Sequence, residues 1–295
     1  MAINVHKSAE VHAGAEIGDD CNIGPFCTVG ANVTIGNNTT LRSHVVIDGH
    51  TSIGQDCDVF PFVTLGVQSQ DLKYVPGTVT YARIGHRNII REYVSIHSGT
   101  EENSETVLGN DCALLAQSHV AHNCVVGDHV TLSHQVSLGG HVTIGDYANL
   151  GGLSGVHQFC RVGQAAMVAG MAKATQDVLP YTIADGNPAR MRVINKIGME
   201  RAGYADQAIA EVRRAFRTLF MRELRLEDAV REVEQTLGDH PHIRLLLDAI
   251  TSSKRGIARP ETSTFEINVS NSVSYTHLRA HETLRYLVCR LLLEK

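Results

Sequence analysis

Sixteen of the 295 residues are histidine, and four of them, His119, His122, His141 and His157, are spaced for chemistry. If the chain winds with eighteen residues per coil, His122 stacks on Gly140, beside His141, and Gly139 stacks on His157. His122, His141 and His157 are then expected in a column along one corner on successive coils. His119 precedes them, and His129 and His134 fall elsewhere on the surface. Imidazole titrates near neutrality, so the column could supply a general base toward a hydroxyl. Neutral imidazoles are also zinc ligands. A third reading is a row of exposed histidines without chemistry, since polar residues face outward at turns in any case. Zinc needs three or four donors converging on one point, and no Cys or carboxylate joins these histidines at a recognisable spacing. Cys124 and Cys160 both stack on Val142, an inward position, so their thiols are expected to be buried. A metal would have to be assembled across a subunit interface, and none is assigned.

The winding that sets these spacings is written in a six-residue repeat. An aliphatic residue recurs at Val5, Val11, Ile17, Ile23, Val29, Ile35, Leu41, Ile47, Ile53, Val59 and Leu65, then at Ile84, Ile90 and Ile96. A final run goes from Leu108 through Leu114, Val120, Val126, Leu132, Leu138, Ile144, Leu150, Val156 and Val162 to Val168. Glycine often follows, as in Ile17-Gly18 and Ile144-Gly145, where it permits the turn. This is the hexapeptide signature of a parallel β-helix. Each aliphatic residue points inward from a short strand, three hexapeptides close one triangular coil, and coils stack ~4.8 Å apart. Chance alternation in a sandwich would not hold phase over ten consecutive repeats.

Two insertions, residues 66–83 and 97–107, interrupt the coils, and loops of this kind are tolerated where they face something useful. After Met171 the pattern is expected to dissolve into turn residues that close the prism, Gln176-Asp177-Val178-Leu179-Pro180-Tyr181 and Gly186-Asn187-Pro188-Ala189. From about Arg190 the period becomes helical. Ile209, Val212, Phe216, Leu219 and Phe220 share one face, with Asp206 placed to cap that helix. Further amphipathic stretches run over 226–237 and 242–250. The expected organisation is therefore a β-helix over 1–190 and a small α-helical domain over 191–260. Residues 261–295 form a tail without repeat or helical face that reads as vector or adapter read-through, or as disordered chain.

Net charge is −5 and aromatic residues make up 5% of the chain, with no Trp. Neither feature suits a nucleic-acid partner. No stretch approaches the ~20 apolar residues of a membrane span, and the first residues do not read as a signal peptide. The seven cysteines form no Cys-x-x-Cys pair, which fits buried free thiols in a reducing cytoplasm. Residues 191–260 carry a formal charge of about +3, with Arg213, Arg214, Arg217, Arg222 and Arg225 crowded on the exposed side. That face is either simply solvated or a dock for an acidic partner.

An ordered set of motifs carries a resemblance over residues 1 to about 260. It comprises Gln70-Asp71-Leu72-Lys73-Tyr74, Ile96-His97 with Gly99-Thr100, His119-Val120-Ala121-His122-Asn123-Cys124, Gly140-His141-Val142 and Val156-His157-Gln158-Phe159-Cys160. Gln176-Asp177-Val178, Gly186-Asn187-Pro188-Ala189 and the ending Ser253-Lys254-Arg255-Gly256-Ile257-Ala258-Arg259 complete it. With these motifs the chain resembles the acyl-carrier-protein–UDP-N-acetylglucosamine O-acyltransferases, which open lipid A synthesis. The resemblance implies a left-handed β-helix, a homotrimer with sites between subunits, no cofactor, and two partners: acyl carrier protein and UDP-N-acetylglucosamine. It implies His122 as general base and the Gly140 N–H as oxyanion donor. Gln70, Asp71, Lys73, His119, His141, His157 and Gln158 would hold the sugar nucleotide and order the site. Asn195 and Arg201 would contact nucleotide or donor phosphates, Met167 and Gly170 would line the acyl channel, and the basic helices would receive the carrier protein. The chain departs from the family pattern at three places. Asn123 replaces an Asp beside the base, Ile197 and Ala202 replace a Glu and a second Arg associated with uridine, and Ser98 replaces an Arg.

Two other activities share these features. One is N-acylation, either by the later lipid A enzyme, which usually carries an extra N-terminal domain, or on a 3-amino sugar nucleotide. The other is a zinc-dependent hydratase resembling the gamma-type carbonic anhydrases, with histidines at a trimer interface. A non-enzymatic scaffold is the remaining class, and turnover of an acyl donor separates it from the rest.

Overall fold

The computed structural model describes residues 3–260. The tail over 261–295, with the read-through expectation that falls on it, lies outside the described residues. Each hexapeptide becomes a two-residue strand ending on its aliphatic position, as in Asn22–Ile23, Thr28–Val29 and Thr34–Ile35. Successive strands lie on different faces, and each pairs in parallel with the strand eighteen residues on: Asn4 with Asn22, Glu10 with Thr28, Glu16 with Thr34. The product is a three-sided prism of eleven, nine and eight strands, a left-handed parallel β-helix.

Two positions of each hexapeptide point inward, the aliphatic residue and the one two before it. Pairs such as Cys21 with Ile23, Val33 with Ile35 and Cys124 with Val126 are fully buried, and one continuous apolar column fills the prism from Cys21 to Ala189. Each such aliphatic side chain contributes roughly 1.5–3 kcal/mol relative to exposure. Val5, on the first described coil, is 44% exposed. The six cysteines among the described residues are free, and all occupy the second inward position. Their thiols can donate to a carbonyl of the next coil, as from Cys21 to Gly36 O at 3.1 Å and from Cys124 to Gly139 O at 3.1 Å. Burial pushes the Cys112 and Cys124 thiols up to about 12, so they are packing residues rather than nucleophiles.

The prism extends further than the aliphatic repeat. Lys173–Ala174 is another strand of the second face, paired with Gly155–Val156, and its inward residues are the small Ala172 and Ala174. Thr182–Asp185 continues the first face, and Arg190–Ile194 turns back antiparallel against it. The chain is therefore still a strand at Arg190, where a helical period was expected. Helices begin with α1 (Lys196–Arg201), followed by α2 (Asp206–Phe220), α3 (Leu226–Leu237) and α4 (Pro241–Thr251). Asp206 is the first residue of α2 rather than its cap. The cap is Ala205, without a side-chain hydrogen bond, and Asp206 sits where a negative charge favours the helix N-terminus. The apolar face expected for α2 is buried through Ile209, Val212, Phe216 and Leu219. It packs with Leu179, Tyr181 and Met191 from the prism end and with α3 and α4 in a second core. The insertions are shorter than expected, since strands Thr64–Val67, Tyr81–Ile84 and Glu105–Leu108 take up their edges. Among the described residues no helix is long and apolar enough to cross a membrane.

Candidate active site

The repeat fixes what stacks on what, and the corner near His122 shows the rule. Asn123, His141 and Phe159 share one corner position on three coils, each in the left-handed region with φ of 60°, 59° and 65°. His122, Gly140 and Gln158 share the position before it. The absence of a side chain at Gly140 brings the His122 ring against the next coil: a Cβ at Gly140 would lie 2.5 Å from both Cε1 and Nε2 of the imidazole. Among the described residues the Gly140 N–H has no acceptor, whereas Gly139 and His141 spend theirs on Val156 O and His122 O.

The expected histidine column forms in part. His122 and His141 meet edge to face with ring centroids 5.2 Å apart, and His141 stacks on Phe159 at 4.6 Å. His157 does not continue the row. It is exposed and turns toward the C-terminal segment, where the Arg255 guanidinium donates to its Nδ1 at 3.1 Å. Gln158 lies in the His122 column instead and joins the cleft.

That cleft, of about 490 Å³, is lined by Gln70, Asp71, Leu72, Lys73, His97, His119, Ala121, His122 and Gln158. Gln70, Asp71 and Lys73 come from the first insertion. Its seat is the Ser69 hydroxyl, which lies 2.6 Å from the Thr100 hydroxyl on the second insertion and accepts the Asp71 N–H at 3.1 Å. Asp71 in turn accepts the Lys73 N–H at 2.9 Å and holds its other carboxylate oxygen 3.7 Å from His122 Nε2. Ser98, where the resemblance expects Arg, is 3% exposed, and its hydroxyl accepts from Thr80 at 2.9 Å. It helps clamp the two insertions together rather than reaching the cleft.

His97 is the cleft residue that the spacing did not single out. It follows the inward Ile96, a place that strand alternation assigns to the outside, yet it is 4% exposed because strand Thr64–Val67 extends over it and pairs Val67 with His97. That extension was the available signal. Burial, and then the neighbouring His119 and His122, hold His97 down to about 4. Burial, and then His122, also lower His119 and His141. The imidazoles around His122 are thus kept neutral, as hydrogen-bonding groups rather than charges. His119 is anchored by the Ser95 hydroxyl, 2.7 Å from Nδ1.

Besides His141 and His157, four expected residues lie farther from this cleft in the single chain. Asn195 is 6% exposed and caps α1, accepting the Gly198 N–H at 3.1 Å and donating to Ala165 O at 2.9 Å. Arg201 ends α1 and is exposed. Met167 and Gly170 sit outward on either side of the buried Val168. A Cβ on Gly170 would lie 3.3 Å from Gly152 O. Among the described residues the group of three metal-type donors within 4.8 Å of one another is Glu211, His240 and His242, where α2 meets α4, and not the corner histidines. Between α2 and α3 lies a groove of about 430 Å³, lined by Arg213, Arg214 and Arg217 of α2, by Arg222 in the turn that follows and by Glu232 of α3, which pairs with Arg222.

Comparison with known proteins agrees with this architecture. Residues 14–49 match the family model described as bacterial transferase hexapeptide, and residues 177–258 match UDP-N-acetylglucosamine O-acyltransferase, domain 2. The acyl-[acyl-carrier-protein]–UDP-N-acetylglucosamine O-acyltransferase of Gloeothece citriformis is 40% identical over 209 residues, 71% of this chain and 75% of that protein. Its Paracidovorax citrulli counterpart is 46% identical over 66% of this chain and 76% of that protein. Among solved structures, LpxA from Acinetobacter baumannii superposes with a TM-score of 0.82 at 40% identity, covering 86% of this chain and 99% of its own. The Francisella novicida UDP-N-acetylglucosamine acyltransferase gives 0.85 at 34% identity, covering 92% and 99%. The chain belongs to the acyl-[acyl-carrier-protein]–UDP-N-acetylglucosamine O-acyltransferase family.

Proposed function

We propose that this acyltransferase moves an R-3-hydroxyacyl group from acyl carrier protein to the 3-hydroxyl of UDP-N-acetylglucosamine, the first step of lipid A biosynthesis. The observation that carries the reading is the placement of His122. Its Nε2 faces a polar cleft walled by Gln70, Asp71 and Lys73, and the ring rests on Gly140, whose N–H has no acceptor among the described residues. A hydroxyl beside Nε2 gives up its proton as the oxygen attacks the thioester carbonyl. The Gly140 N–H stabilises the resulting oxyanion. Collapse breaks the carbon–sulfur bond, and the carrier thiolate takes back the proton held by the imidazolium.

Gln70, Asp71, Lys73, His119, His141 and Gln158 supply polar contacts for the sugar nucleotide, and His157, held by Arg255, orders the neighbouring corner. The site is completed in a homotrimer, where a neighbouring chain brings further residues, among them Asn195 and Arg201 for nucleotide or donor phosphates. Met167 and Gly170 line the acyl channel, and the arginine groove of α2 and α3 receives the acidic carrier protein. The setting is the cytoplasm, in keeping with the six buried free thiols among the described residues, since a reducing compartment keeps thiols unpaired. The deciding experiment incubates the protein with R-3-hydroxyacyl carrier protein and UDP-N-acetylglucosamine, or its 3-amino analogue, and reads products by mass spectrometry. An O-acylated sugar nucleotide is expected, and acylation of the amine alone would reassign the acceptor. His122→Ala should cut turnover by ~10²–10⁴ with assembly retained. Near-normal turnover in that folded variant would overturn the role of His122.

A further inference from the structure

We propose that Glu101 is the carboxylate of the His122 site, acting through the Asn123 side-chain amide as a positioning residue. The proposal rests on reading His122 as the base. Asn123 stands at a corner with φ of 60°, a conformation that Asn and Asp tolerate well, and its own N–H is tied to the Thr106 hydroxyl at 2.8 Å. Its side-chain Oδ1 lies 3.1 Å from the Thr100 N–H and 2.8 Å from His122 Nδ1, while Nδ2 lies 3.1 Å from Glu101 Oε2.

These contacts admit one arrangement of hydrogens. A backbone N–H can only donate and a carboxylate only accepts. The Asn123 oxygen must therefore face Thr100 and His122, and its NH₂ must face Glu101. His122 Nδ1 is then the donor to Asn123, and the neutral ring is the Nδ1–H tautomer with a lone pair on Nε2, on the side of the cleft. When Nε2 accepts the substrate proton, the new positive charge strengthens Nδ1–H···Oδ1. The Glu101 carboxylate polarises the amide in the direction that favours this. Glu101 is held for the task by the second insertion: its carbonyl accepts from both the Ser104 N–H at 2.9 Å and the Ser104 hydroxyl at 2.7 Å. No cation pairs with its carboxylate among the described residues. The other ionisable groups facing His122 are Asp71 on the first insertion, with Lys73 beside it, and His97, His119 and His141 on neighbouring coils.

The test compares pH profiles of kcat/KM for wild type, E101Q, N123D and the N123D/E101Q double variant. E101Q should lower kcat/KM about tenfold and move its acid limb to lower pH, leaving the KM for the sugar nucleotide within about twofold. N123D places a carboxylate directly on Nδ1 and should move the limb to higher pH. In that background Glu101 becomes a like charge beside Asp, so adding E101Q should leave activity equal to or above that of N123D alone. A merely structural Glu101 would depress activity equally in both backgrounds without moving the limb, and that result overturns the proposal, as does a wild-type profile in E101Q. If E101Q fails to fold, E101A takes its place in the same comparison and decides by the same limb. Separately, the ¹⁵N spectrum of the His122 imidazole, assigned by its loss in H122A, should show the Nδ1–H tautomer at neutral pH, and E101Q should lower the pH at which this ring protonates. That reading needs no turnover, so an active H122A variant would defeat the base while leaving the relay to be judged on the spectrum.

Discussion

At the scale of single residues, Gly140 and His97 show how tightly the cleft is built around one imidazole. Gly140→Ala puts a methyl 2.5 Å from His122 Cε1 and Nε2, so the ring must shift by about 1 Å. Such a displacement should cost ~10² in kcat with little change in melting temperature, since no positive φ is required there. Wild-type kcat in that variant would mean that the ring need not rest on the next coil. His97 makes a stability prediction. Its folded value of about 4 lies below the roughly 6.5 of an unfolded histidine. Between those values the unfolded chain binds a proton that the folded chain refuses. Stability is therefore fully present above pH ~6.5 and falls as pH drops toward 4, by about 1.4 kcal/mol per unit for this group. Urea midpoints at pH 7 and pH 5 should lie closer together in His97→Gln than in wild type, and an equal gap would show that His97 takes up its proton in the fold. The eighteen-residue spacing made the meeting of His122 with His141 legible in the sequence. It could not show His97 or the contact from Asn123 to Glu101, because both depend on how the two insertions fold over one another, and their residues follow no period.

At the scale of the element, the coil was legible wherever its inward residue was a branched aliphatic, because period six leaves only one way to bury every such residue. It became illegible where small or polar residues take the same place. Ala172 and Ala174 fill a coil that the aliphatic count ended at Met171, and Asn88 occupies an inward position fully buried. Asn88 is tolerated because it bridges coils, accepting the Cys112 N–H at 2.8 Å and donating to Gly109 O at 2.8 Å. Asn88→Ala should orphan both groups at a cost of about 1–3 kcal/mol each, seen as a lower urea midpoint. Thr39 makes the equivalent pair two strands earlier on the same face, accepting the Cys57 N–H at 3.1 Å and donating to Gly54 O at 2.9 Å. Asn88→Thr should therefore recover most of the loss. If the Thr variant is as unstable as the Ala variant, the volume of Asn88 matters more than its hydrogen bonds.

At the scale of the whole molecule, function depends on length along the prism, because the coils form a ruler with a rise of ~4.8 Å. His122 stands in the first coil of the unbroken run from Leu108 to Val168, while Met167 and Gly170 stand about two and a half coils further on, facing outward beside the buried Val168. An acyl chain whose thioester carbon is held at His122 would run along this outer surface, between subunits of the proposed trimer, toward Gly170. Each methylene buried there is worth ~0.8 kcal/mol in transfer, and such a channel discriminates one methylene by ~1–3 kcal/mol. With no side chain at Gly170 the channel is open at that point, which favours a long donor of about fourteen carbons by family resemblance. Gly170→Met brings its Cβ to 3.3 Å from Gly152 O, which leaves the rest of the side chain to extend outward across the channel. Overpacking the last carbons of a long chain costs ~1–3 kcal/mol, enough to reverse a preference built from a few methylenes, while a shorter chain stops before the obstruction. Initial rates on ten- and fourteen-carbon R-3-hydroxyacyl donors should therefore invert between wild type and Gly170→Met, with activity on the short donor retained. An unchanged ratio would mean that the acyl chain does not reach Gly170, and that it leaves His122 in a different direction.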